Sequence, residues 1–343
     1  MDGDRAPVMA DVARLAGVSH QTVSRVLNDH PNVRPTTRDR VRVAVRELGY
    51  RPNAAARTLA TRRTRTLGVI SFNTTLYGPA CMLYGIEQAA RQHDYFVTVA
   101  AVGTLDRRSV LDAVDRLRDQ GVEGIIVIAP QTSAVGALAN VPSDVPLVAV
   151  GCGTHSTLAS VAVDNAAGAE LATNYLLDLG HRTVHHLVGP RSWLDAQERE
   201  TGWRDTLNKR GAPVTEPLVG ADWTARTGYE LGQRFAVAPD VTAVLCANDH
   251  MALGLLRALQ WAGLRVPEDI SVVGFDDMPE TEYFGPSLTS VRQDFDELGR
   301  RALHMLVEIV GDPDAGLPAV DLTPHIVIPP TLVVRTSTTR PRP

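Results

Sequence analysis

The sequence is poor in the features that mark membrane, secreted and metal-rich proteins. Its three cysteines, Cys81, Cys152 and Cys246, form no Cys-x-x-Cys pair, which argues against a disulfide framework or a zinc ribbon. The longest apolar runs, such as 124–129, are far shorter than the roughly 20 residues that cross a bilayer, and the N-terminus has no hydrophobic signal segment. We therefore expect a protein with no membrane partner that stays in the cytoplasm.

Aromatic residues make up only 5% of the 343 residues and apolar residues 44%, which is typical of an α/β protein of two or three domains. No nucleophile elbow is present and no glycine-rich phosphate loop follows a strand, so we expect no enzyme, no catalytic residue and no cofactor. His185 and His186 begin a predicted strand and point to opposite faces. Together with His181 they are interpreted as surface residues, and we expect no metal site.

Charge is unevenly distributed along the chain. Residues 1–65 contain 13 arginines against 6 acidic residues, the remainder contains 21 basic against 33 acidic residues, and the net charge is −5. A small basic head therefore precedes an acidic body. This asymmetry indicates that the head binds a polyanion and that the body has another role.

The spacing of apolar residues in the head predicts three short helices. Val12, Leu15 and Ala16 share one face of the first helix, a Gly-Val turn follows, and Ser19 caps the second helix. The third helix is predicted at about 36–48. Two helices joined by a tight turn make a helix-turn-helix.

Polar residues on the second helix point away from the shared core: His20, Gln21, Thr22, Ser24 and Arg25. Glutamine pairs with adenine edges and arginine with guanine, each discriminating by about 1–3 kcal/mol, and hydroxyls suit phosphates. An ordinary solvated helix face is the alternative, but the basic charge and the turn favour DNA binding. The segment 51–65 is too short to form a stable helix alone, and it is either a segment that folds against a partner or a plain linker.

Three linked motifs occur in the head: Asp11-Val-Ala with Gly-Val-Ser-x-Gln-Thr-Val-Ser-Arg-Val26, Leu48-Gly-Tyr-x-Pro-Asn53, and Ala56-x-x-Leu-Ala60. They resemble the lactose-repressor/galactose-repressor family of bacterial transcription regulators. The resemblance implies that His20, Gln21 and Arg25 read the major groove of operator DNA. It also implies that a second set holds the DNA backbone, namely Thr22, Ser24, Asn28, Thr37 and Tyr50. Asn53, Ala56 and Leu59 would lie on a hinge helix in the minor groove, where Leu59 of each of two protomers would wedge into the central base step.

From residue 66 onward, β-branched runs alternate with amphipathic stretches. Strands are predicted at 67–71, 96–101, 125–129, 147–150, 184–188, 243–246 and 271–275, with helices between them. Such alternation indicates parallel sheets covered on both faces, with a ligand site at the carboxyl ends of the strands. The predicted fold class is therefore α/β, with an N-terminal all-α helix-turn-helix head and a two-lobed sensor built on parallel sheets.

The body carries further motifs, among them Val163-Asp-Asn165, Arg199-x-x-Gly-Trp203 and Ala247-Asn-Asp-x-Met-Ala-Leu-Gly254. These resemble the same family, in particular its lactose-repressor branch, and imply a periplasmic-binding-protein-like fold. The resemblance predicts a head at 1–50, a hinge helix and linker at 51–65, and a ligand-binding and dimerisation domain at 66–343. Lobe one would comprise about 66–162 and 293–322, and lobe two about 163–290 and 323–340.

A sugar requires hydrogen-bond donors and acceptors, a guanidinium and a flat aromatic face. Side chains of these types occupy positions that match the family's sugar-contacting sites: Arg199, Trp223, Asn248, Asp276, Gln293 and Phe295. The alternatives are a helix cap for Asn248, a core aromatic for Trp223, a solvated turn for Asp276 and a surface ion pair for Arg199.

The first lobe departs from the lactose-repressor branch, because Ile128 and Gly151 stand where that branch presents polar sugar contacts. By position, Leu76, Tyr77 and Pro79 line this lobe, and they indicate an apolar or stacking contact with the ligand.

We therefore expect a homodimeric, DNA-binding repressor whose affinity for its operator is relieved by a small sugar bound between the lobes. The C-terminus has no leucine heptads, so we expect no tetramer. One alternative is a regulator that a purine or phosphosugar corepressor tightens on DNA. Another is a sugar-binding transport component or sugar-processing enzyme with no regulatory role.

Overall fold

The computed structural model describes residues 6–27, 30–50, 63–72, 74–139, 141, 145–153, 158–238, 240–311 and 325–342. The chain divides into two compact units, Met1–Thr64 and Arg65–Pro343.

The first unit contains three helices, α1 (Met9–Ala16), α2 (His20–Leu27) and α3 (Pro35–Leu48). Gly17 ends α1 with φ of 61°, a left-handed conformation that glycine adopts without strain. The backbone amide of Thr22 donates to the Ser19 hydroxyl at 3.2 Å, so Ser19 caps α2 as its position predicts. The turn between the two helices is therefore determined locally.

A small apolar core joins these three helices, with Val12, Val23 and Val41 fully buried. The prediction for Leu15 was wrong, because its side chain is 50% exposed. The buried stripe of α1 runs through Val12, Ala13 and Ala16, and a helix rotates about 100° per residue, so Leu15 lies well to one side of it.

Six strands form the first sheet of the second unit: β1 (Thr66–Phe72), β2 (Phe96–Val102), β3 (Gly124–Ile128), β4 (Leu147–Val150), β5 (Ser160–Val163) and β11 (His325–Ile328). Their order is β11-β5-β4-β3-β1-β2, and every neighbouring pair is parallel. The helices of this lobe are α4 (Tyr77–Gln92), α5 (Arg107–Asp119), α6 (Thr132–Leu138) and α11 (Phe295–Val310). The helices and the sheet share two apolar clusters, as expected for a parallel sheet covered on both faces.

The second sheet also has six strands: β6 (His185–Val188), β7 (Leu218–Val219), β8 (Ala243–Cys246), β9 (Ser271–Asp276), β10 (Thr289–Arg292) and β12 (Thr331–Val333). Their order is β12-β10-β9-β8-β6-β7, and all pairs are parallel except β10 with β12. Around it lie α7 (Asn165–Asp178), α8 (Leu194–Lys209), α9 (Ala225–Ala236) and α10 (Asp249–Trp261), and a short 3-10 helix spans Pro279–Tyr283.

The chain crosses between the two lobes three times, at Asp164, at 293–294 and at 329–330. The third crossing differs from the predicted division, which assigned everything after 323 to lobe two. The strand His325–Ile328 pairs in parallel with β5 and so extends the first sheet before the chain returns to the second. Three short crossings allow the lobes to move relative to each other as hinged bodies.

Close packing of two helices determines where α8 lies beside the cleft. A Cβ atom on Gly202 of α8 would overlap the backbone carbonyl of Ala166 in α7. Glycine at this position therefore lets the two helices approach at backbone distance, one turn after Arg199, which α8 directs into the cleft.

The interpretation of the histidine cluster as surface residues was wrong for His181 and His186, which are both buried. Each ring nitrogen of His181 has a hydrogen-bond partner, with Thr242 at 2.9 Å from Nδ1 and the Thr339 carbonyl at 3.0 Å from Nε2. Nδ1 of His186 lies 2.8 Å from the Leu245 carbonyl, and burial lowers the pKa of His186 to about 4. Both rings are therefore held by hydrogen bonds within the fold, through both nitrogens of His181 and through Nδ1 of His186. No group of three metal-ligating side chains occurs among the described residues.

Candidate DNA-binding and ligand-binding sites

The candidate DNA-reading face lies on α2. His20, Gln21 and Arg25 are exposed, whereas Thr22 and Ser24 are half-buried. The Thr22 and Ser19 hydroxyls lie 2.9 Å apart, which fixes the Thr22 side chain at the start of the helix. The apolar side of α2 is buried against α1 and α3, so its polar face is held outward on a rigid support.

The candidate backbone-contacting residues are spread over the rest of the head. Thr37 is half-buried in the first turn of α3, and Tyr50 is buried in the head core just after that helix. Four predicted positions lie outside the described residues: Asn28, Asn53, Ala56 and Leu59.

A cavity of about 280 Å³ opens between the two sheets of the second unit. Seven of the eight predicted ligand-binding residues line it: Leu76, Pro79, Arg199, Trp223, Asn248, Asp276 and Gln293. Asn248 and Asp276 follow or end a strand, so the cavity lies at the carboxyl ends of the parallel strands, where such folds bind ligands.

Arg199 is buried in the wall of this cleft. Its Nε donates to Asn165 Oδ1 at 2.8 Å, and its Nη1 donates to the backbone carbonyl of Ala247 and lies 3.7 Å from Asp276 Oδ1. The guanidinium carbon lies 3.7 Å from the centre of the Phe275 ring. The alternative of a surface ion pair is thereby excluded, because these contacts hold the guanidinium rigidly inside the cleft.

Asp276 ends β9 with φ of 106°, a backbone conformation that is strained for any residue except glycine. Gln293 Nε2 donates to Asp276 Oδ1 at 2.6 Å. Because Gln293 lies in the second crossing, this hydrogen bond joins the hinge to the floor of the cleft. A strained, buried carboxylate held from the hinge is typical of a functional site rather than of a solvated turn.

Asn248 both caps a helix and lines the cleft. Its Oδ1 accepts from the backbone amide of Met251 at 2.9 Å at the start of α10, and its Nδ2 donates to the Trp223 carbonyl at 3.2 Å. The next residue, Asp249, is fully buried and accepts from Ser290 Oγ at 2.7 Å and from the Met278 amide at 2.9 Å. Asp249 therefore joins β10 to the segment that follows β9.

Two tryptophans form the aromatic wall. The rings of Trp223 and Trp193 lie 5.5 Å apart at 81°, in an edge-to-face arrangement. A Cβ atom at Gly189 would fall 2.5 Å from the Trp223 ring, so glycine is needed where the backbone passes under the indole. Nε1 of Trp223 is buried and has no acceptor in the described part of the chain. Trp223 is therefore both a core aromatic and a wall of the cleft.

The first lobe contributes an apolar surface of Leu76, Tyr77, Pro79 and Met82. Phe295 is placed differently from the predicted ligand-binding residues. Its ring packs 6.1 Å from that of Tyr77, within the first-lobe core, and it lines a separate cavity at the hinge.

Sequence reasoning missed three residues that line the cleft, Trp193, Asp195 and His250, and two that contact the lining from behind, Asn165 and Glu198. Asp195 lies in the first turn of α8, one turn before Arg199, so the i, i+4 spacing could have placed both on one face. Nδ2 of Asn165 lies 3.3 Å from both Asp195 Oδ1 and Glu198 Oε2. Asn165 therefore orients Arg199 through its oxygen and the two carboxylates through its nitrogen.

Burial dominates the acid–base properties of the cleft. It raises the pKa of Asp195 to about 6, with Arg199 opposing the shift and Glu198 reinforcing it. It also raises the pKa of Asp276, although Arg199 and the Gln293 hydrogen bond favour the carboxylate form. Such shifts mark groups that the fold desolvates without fully compensating them.

A helix-turn-helix joined in one chain to a two-lobed domain with a polar cleft defines a DNA-binding regulator with a ligand sensor. Residues 8–53 match the family model of bacterial regulatory proteins of the lacI family, and residues 173–338 match that of the periplasmic binding protein-like domain. No helix among the described residues is long and apolar enough to cross a membrane.

The chain is 35% identical over 327 residues to the HTH-type transcriptional repressor PurR of Vibrio parahaemolyticus, covering 93% of this chain and 96% of that protein. The lac repressor dimer bound to operator and the anti-inducer ONPF is a structural neighbour, with a TM-score of 0.81, 32% identity, and coverage of 98% and 100%. The transcriptional regulator CelR–cellobiose complex has a TM-score of 0.69, 31% identity, and coverage of 96% and 99%.

The protein belongs to the lacI family of bacterial regulatory proteins. The predicted family and the predicted fold class are confirmed.

Proposed function

We propose that the protein is a transcriptional repressor that binds operator DNA through α2 and releases it when a small sugar occupies the cleft. The observation that carries this proposal is the convergence of buried polar groups from Arg199, Asp276 and Gln293 beside the ring of Trp223. These are the groups that recognise hydroxyls and the apolar face of a sugar ring. The neighbouring structure of a family regulator with cellobiose supports the same ligand class.

The polar groups come from the second lobe and the hinge, whereas the first lobe presents Leu76 and Pro79. A sugar that is oriented by the polar groups of the second lobe would also contact Leu76 and Pro79. It would therefore bind best when both lobes face it. Binding in the cleft then changes the relation of the lobes, and reciprocity requires operator DNA to weaken sugar affinity by the same factor.

We propose that the active form is a homodimer. A single head offers too few base contacts for specificity, and two heads on a twofold axis read two half-sites. Trp261 and Tyr283 are 74% and 83% exposed, leaving large apolar side chains that a second copy could cover. The structural neighbour bound to operator is also a dimer, which supports this assembly.

The repressor function requires no cofactor and no catalytic step. The cleft residues bind and orient, and the relatives that the chain matches are transcriptional repressors rather than enzymes. We therefore propose that the bound sugar leaves the cleft chemically unchanged.

The test begins by selecting an operator from random DNA and measuring affinity by fluorescence anisotropy, with and without mono- and disaccharides. We expect a sugar to weaken operator binding. Arg25→Ala should weaken binding to the selected operator by about tenfold or more, equivalent to one lost base contact, and should relax specificity. Arg14→Ala is the matched control, because Arg14 pairs with Asp11 at 3.2 Å on α1 and should leave operator affinity nearly unchanged.

The alternative is a corepressor, a purine or a phosphosugar that tightens operator binding. Tightening by either compound, with no release by any neutral sugar, would refute induction while leaving the DNA-binding role intact. Equal losses for Arg14→Ala and Arg25→Ala would refute the assignment of the reading face.

A further inference from the structure

The described lining of the cleft contains more carboxylates than cations. Asp195 and Asp276 line it with a single guanidinium, that of Arg199. His250 also lines it, but burial lowers the pKa of its imidazole, so the ring is neutral at pH 7. Glu198, one turn of α8 beyond Asp195, adds a further acidic group beside the cleft. The described lining therefore has one more acidic group, Asp195, than the Arg199–Asp276 pair accounts for.

Most of the hydrogen-bonding capacity of Arg199 is already used by the protein. Nε donates to Asn165, and Nη1 donates to the Ala247 carbonyl and faces Asp276. Nη2 has no partner among the described residues. The arginine thus supplies one free nitrogen to a ligand, and its charge is matched by Asp276.

The carboxylates of Asp195 and Asp276 have more unused hydrogen-bonding capacity than Arg199. Asp195 accepts from Asn165 at 3.3 Å through Oδ1, and Asp276 accepts from Gln293 at 2.6 Å through its own Oδ1. Neither Oδ2 atom has a donor in the described part of the chain. The cleft therefore offers a ligand two carboxylate oxygens against one guanidinium nitrogen.

The position of Asp195 at the start of a helix does not by itself explain why an acidic residue lies in the cleft. Acidic residues are favoured in a first helical turn because the backbone amides there stabilise the carboxylate. Asp195 is instead desolvated by burial, and Arg199, the cation that favours its charged form, faces another carboxylate, Asp276. A ligand that donates to Asp195 would supply the hydrogen-bond donor that the described part of the chain does not give to its Oδ2 atom.

We propose that Asp195 is a specificity-determining residue that makes the cleft select sugars presenting hydroxyl or amino donors and reject sugars carrying a phosphate or carboxylate. This inference rests on the proposed sugar-binding function and names the ligand class within it. An ammonium group would pair with the Asp195 carboxylate, a hydroxyl would donate to its free oxygen, and an anion would be repelled by this carboxylate at short range in a low dielectric.

The test compares glucose, galactose and cellobiose with their amino and 6-phosphate derivatives, titrated against the full-length protein by tryptophan fluorescence, since Trp193 and Trp223 flank the site. For whichever sugar binds, we expect the amino form to bind at least as well as the parent and the phosphate about a hundredfold more weakly. Asp195→Asn should reduce this discrimination by about tenfold or more. Asp205→Asn is the control, because it makes the same change at an exposed position of α8.

Two results would overturn the inference: a phosphate derivative that binds the unmodified protein as tightly as its parent sugar, or unchanged discrimination in Asp195→Asn. Both leave sugar binding intact and so refute only the role of Asp195. Binding by none of the compounds would refute the sugar proposal itself, and the inference with it. A melting temperature for Asp195→Asn close to that of the unmodified protein would show that a change in binding does not reflect unfolding.

Discussion

Replacing Arg199 with methionine removes the only guanidinium in the described lining of the cleft while keeping much of the volume of its side chain. The change deletes the hydrogen bonds to Asn165 and Ala247, the ion pair with Asp276 and the stacking on Phe275. Because Arg199 and Asp276 are both buried, Asp276 is left without a cation and must either remain charged or bind a proton. Breaking a buried pair from one side costs about 3–5 kcal/mol of folding free energy, and we expect Arg199→Met to fall in this range.

A second substitution separates the energetic cost of leaving Asp276 without a cation from the cost of the packing that is lost with Arg199. Asp276→Asn in the Arg199→Met background removes the uncompensated carboxylate and still lets its side-chain oxygen accept from Gln293. We therefore expect the double variant to be more stable than Arg199→Met by about 1–3 kcal/mol, although Asp276→Asn alone is destabilising. Both variants should lose the effector response.

The pH dependence of Arg199→Met provides an independent check. Burial raises the pKa of Asp276, and losing Arg199 raises it further. The folded state then binds a proton that the unfolded chain releases, so stability should increase as pH falls from 8 to 5. Asp276→Asn should abolish this part of the slope.

The assay is urea unfolding followed by tryptophan fluorescence, which reports on the sensor because all four tryptophans lie between Trp193 and Trp261. A loss below about 1 kcal/mol for Arg199→Met, or no recovery on adding Asp276→Asn, would refute the reasoning. Operator binding by each variant controls for an intact head.

Two further predictions concern packing and titration. Gly202→Ala, whose Cβ would overlap the Ala166 carbonyl, should destabilise the sensor by about 2–3 kcal/mol. Gly136→Ala is the helical control, because no atom lies within 4 Å of the added Cβ, and this change should be neutral or stabilising. Equal effects of the two substitutions on the free energy of unfolding in urea would contradict this explanation. Because burial raises the pKa of Asp195 to about 6, the unliganded sensor should gain up to about 3 kcal/mol from this group as pH falls from 7 towards 4. Asp195→Asn should flatten that gain, and a pH slope shared by Asp195→Asn and the unmodified protein would exclude Asp195 as its source.

Much of the fold could be predicted because its main elements carry strong periodic patterns. The strands Leu147–Val150 and Ala243–Cys246 begin and end where the sequence predicts, and helices lie between the predicted strands. The strands Ser160–Val163 and His325–Ile328 were not predicted as strands. Among the described residues, no α-helix separates the first from β4 or the second from β12, so the alternation of strands with helices does not mark them. The pairing of His325–Ile328 with β5 depends on tertiary contacts, which explains why the third crossing was misplaced.

The cleft was predictable where chemistry and position coincide. Asn248 and Asp276 stand at strand ends, and Arg199 occupies a helix that leads from a strand. Asp195 gave no such signal, because an acidic residue in a first helical turn is common and ordinarily solvated. Phe295 was expected to contact ligand, but its ring packs against Tyr77 in the first-lobe core.

The contrast between the two walls of the cleft indicates how a ligand could act on the hinge. A ligand shifts a conformational equilibrium only as far as its affinities for the two states differ. Hydrogen bonds to Arg199 and Asp276 would be available in any arrangement of the lobes, since both residues belong to the second lobe. The contact with Leu76 and Pro79 of the first lobe exists only when the lobes face each other across the ligand. The polar wall should therefore decide which sugar binds, and the apolar wall should supply the difference in affinity that moves the hinge.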